Sequence, residues 1–328
     1  MKKNDVIYLF PGQGAQYPGM ALDFYATSST AVKQLFETAS VVLEKDPGVL
    51  LNLDADTLKR TDISQPAITL ANLAAAAYLG EQGWQPKACA GFSLGEYAAL
   101  VCAGLISEAD CLCLVKARGE AMQKSADRLR EAAGGDASVA PGMAAIMGLP
   151  PEQVEALIAE WNAAGLKDLY AANINSPKQV VISGTAAALT EAEARFKEAG
   201  ARRVLRLQVA GPFHSPLLAD AAEAFRPALE AVSFGEPQIP LYSNVTGALI
   251  GSGAEAQKLA LQQITSPVLW LQEEMAIAAA GGFSACLEVG PGKVLQGLWK
   301  DSAAVNGSEI PCHPAGTVED IRKMRNEE

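Results

Sequence analysis

The chain has 328 residues, 49% of them hydrophobic and 19% charged, and its 37 acidic side chains outnumber 26 basic ones for a formal net charge of −11. Such a length and apolar content build one large domain or two unequal ones around an ample core, and exclude a disordered chain. The acidic balance, with no dense basic stripe, argues against a nucleic-acid partner. The six cysteines, at positions 89, 102, 111, 113, 286 and 312, form no C-x-x-C pair, and the only histidines are His214 and His313. No metal site is therefore expected, and the thiols read as buried groups of a reducing cytoplasm. The apolar run at residues 6–10 is too short for a signal peptide. No stretch of membrane-spanning length is free of polar residues, so no membrane partner is expected. Asn244-Val245-Thr246 matches a glycosylation pattern, which without secretion reads as chance.

In chain order, residues 6–10 read as a buried strand running into Pro11-Gly12-Gln13-Gly14-Ala15-Gln16. Tyr17 stands where a dinucleotide fingerprint wants its third glycine, and no Gly-Lys-Ser/Thr occurs. The loop is better suited to present backbone N–H groups than to cradle phosphate. Helical patterning follows through Leu35, Ala39 and Val42. Ser64-Gln65-Pro66 opens a further helix with proline in its first turn and a stripe of Leu70, Leu73, Ala74 and Ala77.

Residues 88–97 carry the most informative pattern. Small apolar residues lead into Gly91-Phe92-Ser93-Leu94-Gly95, a G-x-S-x-G nucleophile elbow, and Leu94, Tyr97, Ala98 and Val101 continue at helical spacing to Gly104. Strand, sharp turn and helix are the context that lifts a serine hydroxyl clear of a sheet and aims helix N-terminal amides at an oxyanion. In that geometry the residue after the nucleophile, Leu94, supplies one oxyanion donor.

Residues 127–141 read as a flexible excursion around Ala133-Gly134-Gly135-Asp136-Ala137-Ser138. Strands are then expected at 143–147, 169–174, 179–183 and 203–209, and helices at 151–161 and 185–199. Their order, β-α-β-β-α-β, is that of a ferredoxin-like unit. Beyond Gly211-Pro212-Phe213-His214-Ser215-Pro216, a helix is expected from Leu217, a strand at 240–245, helices at 259–264 and from Pro267, and a strand at 284–289. Residues 303–328 read as a polar tail with one closing helix, His313 among solvated residues. The expected fold is α/β: a large α/β-hydrolase-like subdomain with a parallel sheet, residues 1–141 and 210–328, and an inserted ferredoxin-like small subdomain, residues 142–209.

A serine attacks acyl groups only with a base, and His214, between glycine- and proline-rich turns, is the candidate; no acid completing a triad is identifiable from the sequence. Phe10-Pro11-Gly12-Gln13-Gly14, Gln65-Pro66-Ala67, Gly91-Phe92-Ser93-Leu94-Gly95-Glu96-Tyr97, Arg118-Gly119, Asn173-Ile174-Asn175-Ser176-Pro177, Phe213-His214-Ser215, Gln263-Ile264-Thr265-Ser266-Pro267-Val268 and Glu288-Val289-Gly290-Pro291-Gly292-Lys293 occur in that order. Together they resemble the malonyl-CoA:acyl carrier protein transacylase family over nearly the whole chain. Phe92 departs from the histidine usual in the family before the nucleophile.

The resemblance implies a Ser93–His214 dyad in a gorge between the two parts, with the Gln263 main-chain carbonyl orienting the imidazole. It implies the Gln13 amide as second oxyanion donor and Arg118 as clamp for the malonyl carboxylate. Phe213 would exclude an α-methyl group, and Gln263, Asn173 and Gln65 complete the substrate-binding candidates. Lys116 and Glu96 read as surface or ion-pair residues. The implied enzyme is a cytoplasmic, monomeric acyltransferase without cofactor, moving malonyl from malonyl-CoA to acyl carrier protein in fatty-acid synthesis, a polyketide line or malonate decarboxylation. A serine esterase or thioesterase and an inactive scaffold module are the alternatives. Arg195, Lys197, Arg202, Arg203 and Arg206 form the densest basic group, a candidate face for an acidic carrier or a solvated surface.

Overall fold

The computed structural model describes residues 2–136 and 139–326. Strand β1 (Val6–Phe10) is buried throughout. Val6, Tyr8 and Phe10 join one apolar cluster, and Ile7 and Leu9 another, as a period of two requires. Both faces being covered, the strand has no polar alternation to lose. Helices α1 (Leu22–Tyr25), α2 (Thr30–Leu43) and α3 (Pro47–Leu51) follow, the last two capped by Ser29 and Asp46 side chains.

Helix α4 (Thr61–Glu81) starts before Ser64, so Pro66 lies inside it rather than in its first turn. The cause is tertiary: Gln123 Oε1, far along the chain, accepts the Thr61 amide at 2.9 Å and caps the earlier start. Strand β2 (Pro86–Gly91) leads through the elbow to α5 (Gly95–Cys102), closed by Gly104 at a φ of 77°.

Helix α6 (Glu108–Ala132) absorbs the first part of the expected excursion; Asp127 accepts from Gln123 and Arg130 along its surface. Ala137 and Ser138 of that excursion lie outside the described residues.

The second sheet comprises β3 (Gly142–Met147), β4 (Leu169–Ser176), β5 (Gln179–Gly184) and β6 (Arg203–Arg206), antiparallel in the order β4-β5-β3-β6. Helices α7 (Pro151–Ala163) and α8 (Ala186–Glu198) cover one face, where Ile146, Val180 and Ile182 meet Val154, Ile158 and Phe196. Strand β6 ends short of the expected Val209. The Leu207 amide donates to the Met143 carbonyl at the start of β3, and little partner strand remains beyond it.

Helices α9 (Ala219–Glu230), α10 (Gly253–Gln262) and α11 (Trp270–Ala280) return the chain to the first sheet, completed by β7 (Ala285–Glu288), α12 (Val294–Asn306), β8 (Cys312–Pro314) and α13 (Val318–Asn326). That sheet is parallel, in the order β2-β1-β7-β8. Two expectations fail here. Residues 240–245 form no extended strand but two isolated bridges, Leu241 parallel to Cys89 and Tyr242 antiparallel to Leu249, with the chain turning back at Gly247. Helix α11 starts at Trp270 rather than Pro267, because Val268 exchanges backbone hydrogen bonds with Ala172 and Ile174 of β4.

The polar tail is built into the fold: α12 extends through residue 306, His313 sits half-buried in β8 opposite Leu287, and Ile321 and Met324 of α13 are buried. A three-residue strand is too short for its periodicity to show in the sequence. The architecture is thus α/β, with a parallel sheet and a separate antiparallel one, and the carboxyl ends of β1 and β2 face the antiparallel sheet across a cavity. No helix among the described residues is long and apolar enough to cross a membrane.

Candidate active site

The elbow forms because three backbone segments meet where no side chain fits. A Cβ on Gly91 would lie 2.1 Å from the Gly95 carbonyl carbon, and one on Gly95 would lie 2.0 Å from the Phe10 carbonyl oxygen. The end of β2, the start of α5 and the end of β1 are therefore in van der Waals contact. Between the glycines Ser93 takes a φ of 50°, a left-handed conformation that costs a non-glycine residue on the order of 1–3 kcal/mol. His214, at a φ of 55°, is the second strained residue of the site.

Ser93 Oγ lies 2.8 Å from His214 Nε2. On the far side of the ring, His214 Nδ1 is 2.9 Å from the Gln263 main-chain oxygen. A carbonyl only accepts, so the ring proton sits on Nδ1 and the Nε2 lone pair faces the serine. Burial, and then the nearby Arg118 charge, hold the His214 pKa down to about 4, against the pull of the Gln263 carbonyl. The imidazole is therefore neutral and able to act as a base at physiological pH. Gln13 and Leu94 border the same cavity, and among the described residues neither backbone amide donates to a protein acceptor.

The cavity, of about 470 Å³, opens between the two sheets. Ser93, His214 and Phe92 lie on the side of the parallel sheet. Met143, Ala145, Val181 and Leu205 form an apolar wall from the antiparallel sheet, alternating with the residues that pack beneath it. Asn173 and Asn175 of β4 also border it, and Asn175 Oδ1 is buried without a hydrogen bond among the described residues. Phe213 projects into the cavity from the turn before His214, its carbonyl held by the Ser183 hydroxyl.

Arg118 of α6 is 1% exposed and has no carboxylate within salt-bridge distance among the described residues. Its Nη2 donates to Gln263 Oε1 at 3.0 Å, its guanidinium stacks 5.4 Å from the Tyr97 ring centre, and its Nε is buried without an acceptor. A buried guanidinium with unused N–H groups at the edge of a cavity is a seat for a planar anion.

Three sequence readings change. Gln65 is buried against Met122 Sδ at 3.3 Å, away from the cavity: Met122 stands between them. Gln263 does not line the cavity. Besides orienting His214 and binding Arg118, its Nε2 donates to the Ser93 carbonyl at 3.1 Å, so it holds the site together from behind. Glu96 is not a surface residue but 1% exposed, and burial pushes its carboxyl up to about 7 against the pull of the Asn244 amide and Arg118. Lys116 does pair at the surface, with Glu44 at 3.5 Å.

Sequence reasoning missed Asn244 and Glu273 altogether. Both are fully buried behind the elbow, and nothing in the local pattern marks them, since one resembles a sequon and the other an ordinary helix glutamate. Phe92 packs edge-on to Trp270 at 5.5 Å, so an apolar contact takes the place of the polar side chain expected there.

The fold and this constellation are those of an acyl-transfer protein, its elbow serine paired with a histidine that a main-chain carbonyl holds in place of a triad acid. The sequence model of the acyl transferase domain matches residues 7–319. The chain is 37% identical over 296 residues to the malonyl CoA-acyl carrier protein transacylase of Bacillus subtilis, covering 90% of this chain and 89% of that one. A crystal structure of an acyl carrier protein S-malonyltransferase from Vibrio cholerae superposes with a TM-score of 0.87 at 34% identity, covering 98% of this chain and all of that one. A malonyl-transacylase solved in complex with its type II polyketide acyl-carrier protein gives 0.86 at 33% identity, over 99% of this chain and 100% of that one. The chain belongs to the malonyl-CoA:acyl carrier protein transacylase family.

Proposed function

We propose that this protein transfers malonyl from malonyl-CoA to the phosphopantetheine thiol of an acyl carrier protein through a malonyl ester on Ser93. The observation that carries the reading is the buried, incompletely partnered Arg118 at the edge of the cavity holding the Ser93–His214 pair. His214 takes the Ser93 proton as Oγ attacks the thioester carbonyl. The developing oxyanion meets the Gln13 amide from the loop after β1 and the Leu94 amide at the N-terminus of α5. Collapse expels the CoA thiolate, which takes the proton from His214. The carrier thiol then repeats the sequence in reverse, losing its proton to His214 and leaving Ser93 reprotonated. Every bond and proton is balanced by these residues and the two substrates, so no metal or bound cofactor enters the cycle.

Arg118 would hold the malonyl carboxylate and Phe213 would fill the space beside its α-carbon, with Asn173 along the apolar wall. Fatty-acid or polyketide synthesis in the cytoplasm is the setting we propose, in keeping with six free cysteines among the described residues. The strand order β4-β5-β3-β6 supports a ferredoxin-like insertion at 142–209 in an α/β-hydrolase-like body of 1–141 and 210–328.

Intact mass after mixing with malonyl-CoA tests the reading. A malonyl adduct is expected on the wild type and not on Ser93→Ala, stable in buffer and discharged by holo acyl carrier protein. Discharge to free malonate without the carrier would instead make the protein a thioesterase, and no adduct at all would make it a scaffold.

A further inference from the structure

Behind the elbow, Asn244 is fully buried, and its side chain reaches both limbs of the turn. Its Oδ1 accepts from the Ser93 backbone N–H at 2.6 Å, and its Nδ2 donates to the Gly91 carbonyl at 2.7 Å. The same two atoms bind the elements around it: Oδ1 accepts from Gln263 Nε2 at 3.2 Å, and Nδ2 donates to Glu273 Oε1 at 2.7 Å. Its backbone N–H donates to Glu96 Oε2 at 2.8 Å, and its carbonyl accepts from the Leu269 amide at 2.8 Å. No polar atom of Asn244 is idle. The Gly91 carbonyl, which only accepts, and the Ser93 N–H, which only donates, fix which end of the side chain is the amide nitrogen, because a reversed Asn244 would set acceptor against acceptor and donor against donor.

We propose that Asn244 is a positioning residue for the acyl-transfer step: by clamping Gly91 and Ser93 it holds the serine in its left-handed conformation, and through Gln263 it ties the nucleophile to the imidazole and to Arg118. The strained φ of Ser93 needs such a restraint, since the serine gains by relaxing once released. Relaxation would swing Oγ away from His214 Nε2 and turn the Leu94 amide away from the oxyanion. A displacement near 1 Å at a reacting atom costs on the order of a hundredfold in rate. Glu96 and Glu273 bracket Asn244 from α5 and α11 and hold the clamp in turn. Asn244 does not line the cavity, so it acts through Ser93 rather than on substrate.

The inference rests on the Ser93–His214 pair proposed above but not on the acyl group or carrier. It is therefore tested with a small fluorophosphonate that reacts with any activated serine, alongside steady-state malonyl transfer. Asn244→Ala and the near-isosteric Asn244→Asp, which keeps the acceptor for Ser93 but loses the donor to Gly91, are the variants; Asn244→Ser replaces either that does not fold. Each should cut phosphonylation and kcat by roughly a hundredfold while KM for malonyl-CoA stays within about threefold. Asn162→Ala, which removes a half-buried amide bonded to the Leu169 carbonyl in the antiparallel-sheet layer, should lower Tm without moving either rate. Phosphonylation at the wild-type rate in folded Asn244 variants would overturn the proposal, as would a loss confined to KM. Normal phosphonylation of the wild type with no malonyl adduct would instead refute the substrate assignment and leave the clamp standing.

Discussion

Replacing Arg118 by alanine is the sharpest test of what the cavity selects. In the free protein the guanidinium is 1% exposed, bonded to Gln263 Oε1 and stacked on Tyr97, with its Nε unpartnered. A carboxylate arriving there would make charge-assisted hydrogen bonds contributing about 1.5–3 kcal/mol each, so a two-pronged contact favours malonyl over acetyl by roughly 10²- to 10⁴-fold. An acetyl group offers those N–H groups nothing and leaves the buried charge uncompensated. Arg118→Ala should therefore lower malonyl loading about a hundredfold or more, while acetyl loading holds or rises. Lysine should restore only part of the preference, because it keeps the charge without the fork.

The assay is acyl-enzyme formed from competing malonyl- and acetyl-CoA, read by intact mass. Because the substitution also frees Gln263, which orients His214, fluorophosphonate reactivity of the same variant reports whether the dyad survived. A variant that keeps normal serine reactivity and the full malonyl-over-acetyl ratio would show that the carboxylate is held elsewhere.

Phe213→Ser should open space beside the α-carbon and raise methylmalonyl loading relative to malonyl, measured in the same competition; an unchanged ratio would remove Phe213 from size selection. With its pKa depressed, His214 is the free base above about pH 4, so acylation should stay flat from about pH 6 to 8 and fall only as pH drops toward 4; a midpoint near 6.5 would contradict its burial. His214→Ala should slow acylation by roughly 10²- to 10⁴-fold, whereas His313→Ala, in the edge strand β8, should affect Tm more than rate. Of the basic group on the small sheet, Arg195 and Lys197 are paired with Glu191 and Glu193, but Arg203 is exposed on the same face of β6 as cavity-lining Leu205. Charge reversal at Arg202 and Arg203 should accordingly raise KM for the carrier and not for malonyl-CoA, and salt-insensitive, unchanged carrier kinetics would refute that docking face.

The sequence by itself determined the parts of this protein that local chemistry dictates. A G-x-S-x-G turn between an apolar strand and a helical stripe can do little but raise Ser93, because its two glycines are the only residues that fit against the neighbouring backbone. With two histidines in the chain, the imidazole that would stand beside Ser93 was nearly fixed as well. From residue 142 the succession of strands and helices was likewise legible, because all of those elements but the four-residue β6 are long enough to show their period.

What only the tertiary structure decided involves groups brought together from distant positions. Gln123 moves the start of α4, Val268 delays α11 by pairing with β4, and β8 turns a polar tail into sheet. Gln65 looked like a ligand and is packed behind Met122; Glu96 looked exposed and is buried; Asn244 looked incidental and spans the elbow. A side chain's burial and partners depend on which surfaces the whole chain closes around it. Local periodicity carries no record of that closure, and so the elbow and its serine were legible in the sequence while the scaffold that holds them was not.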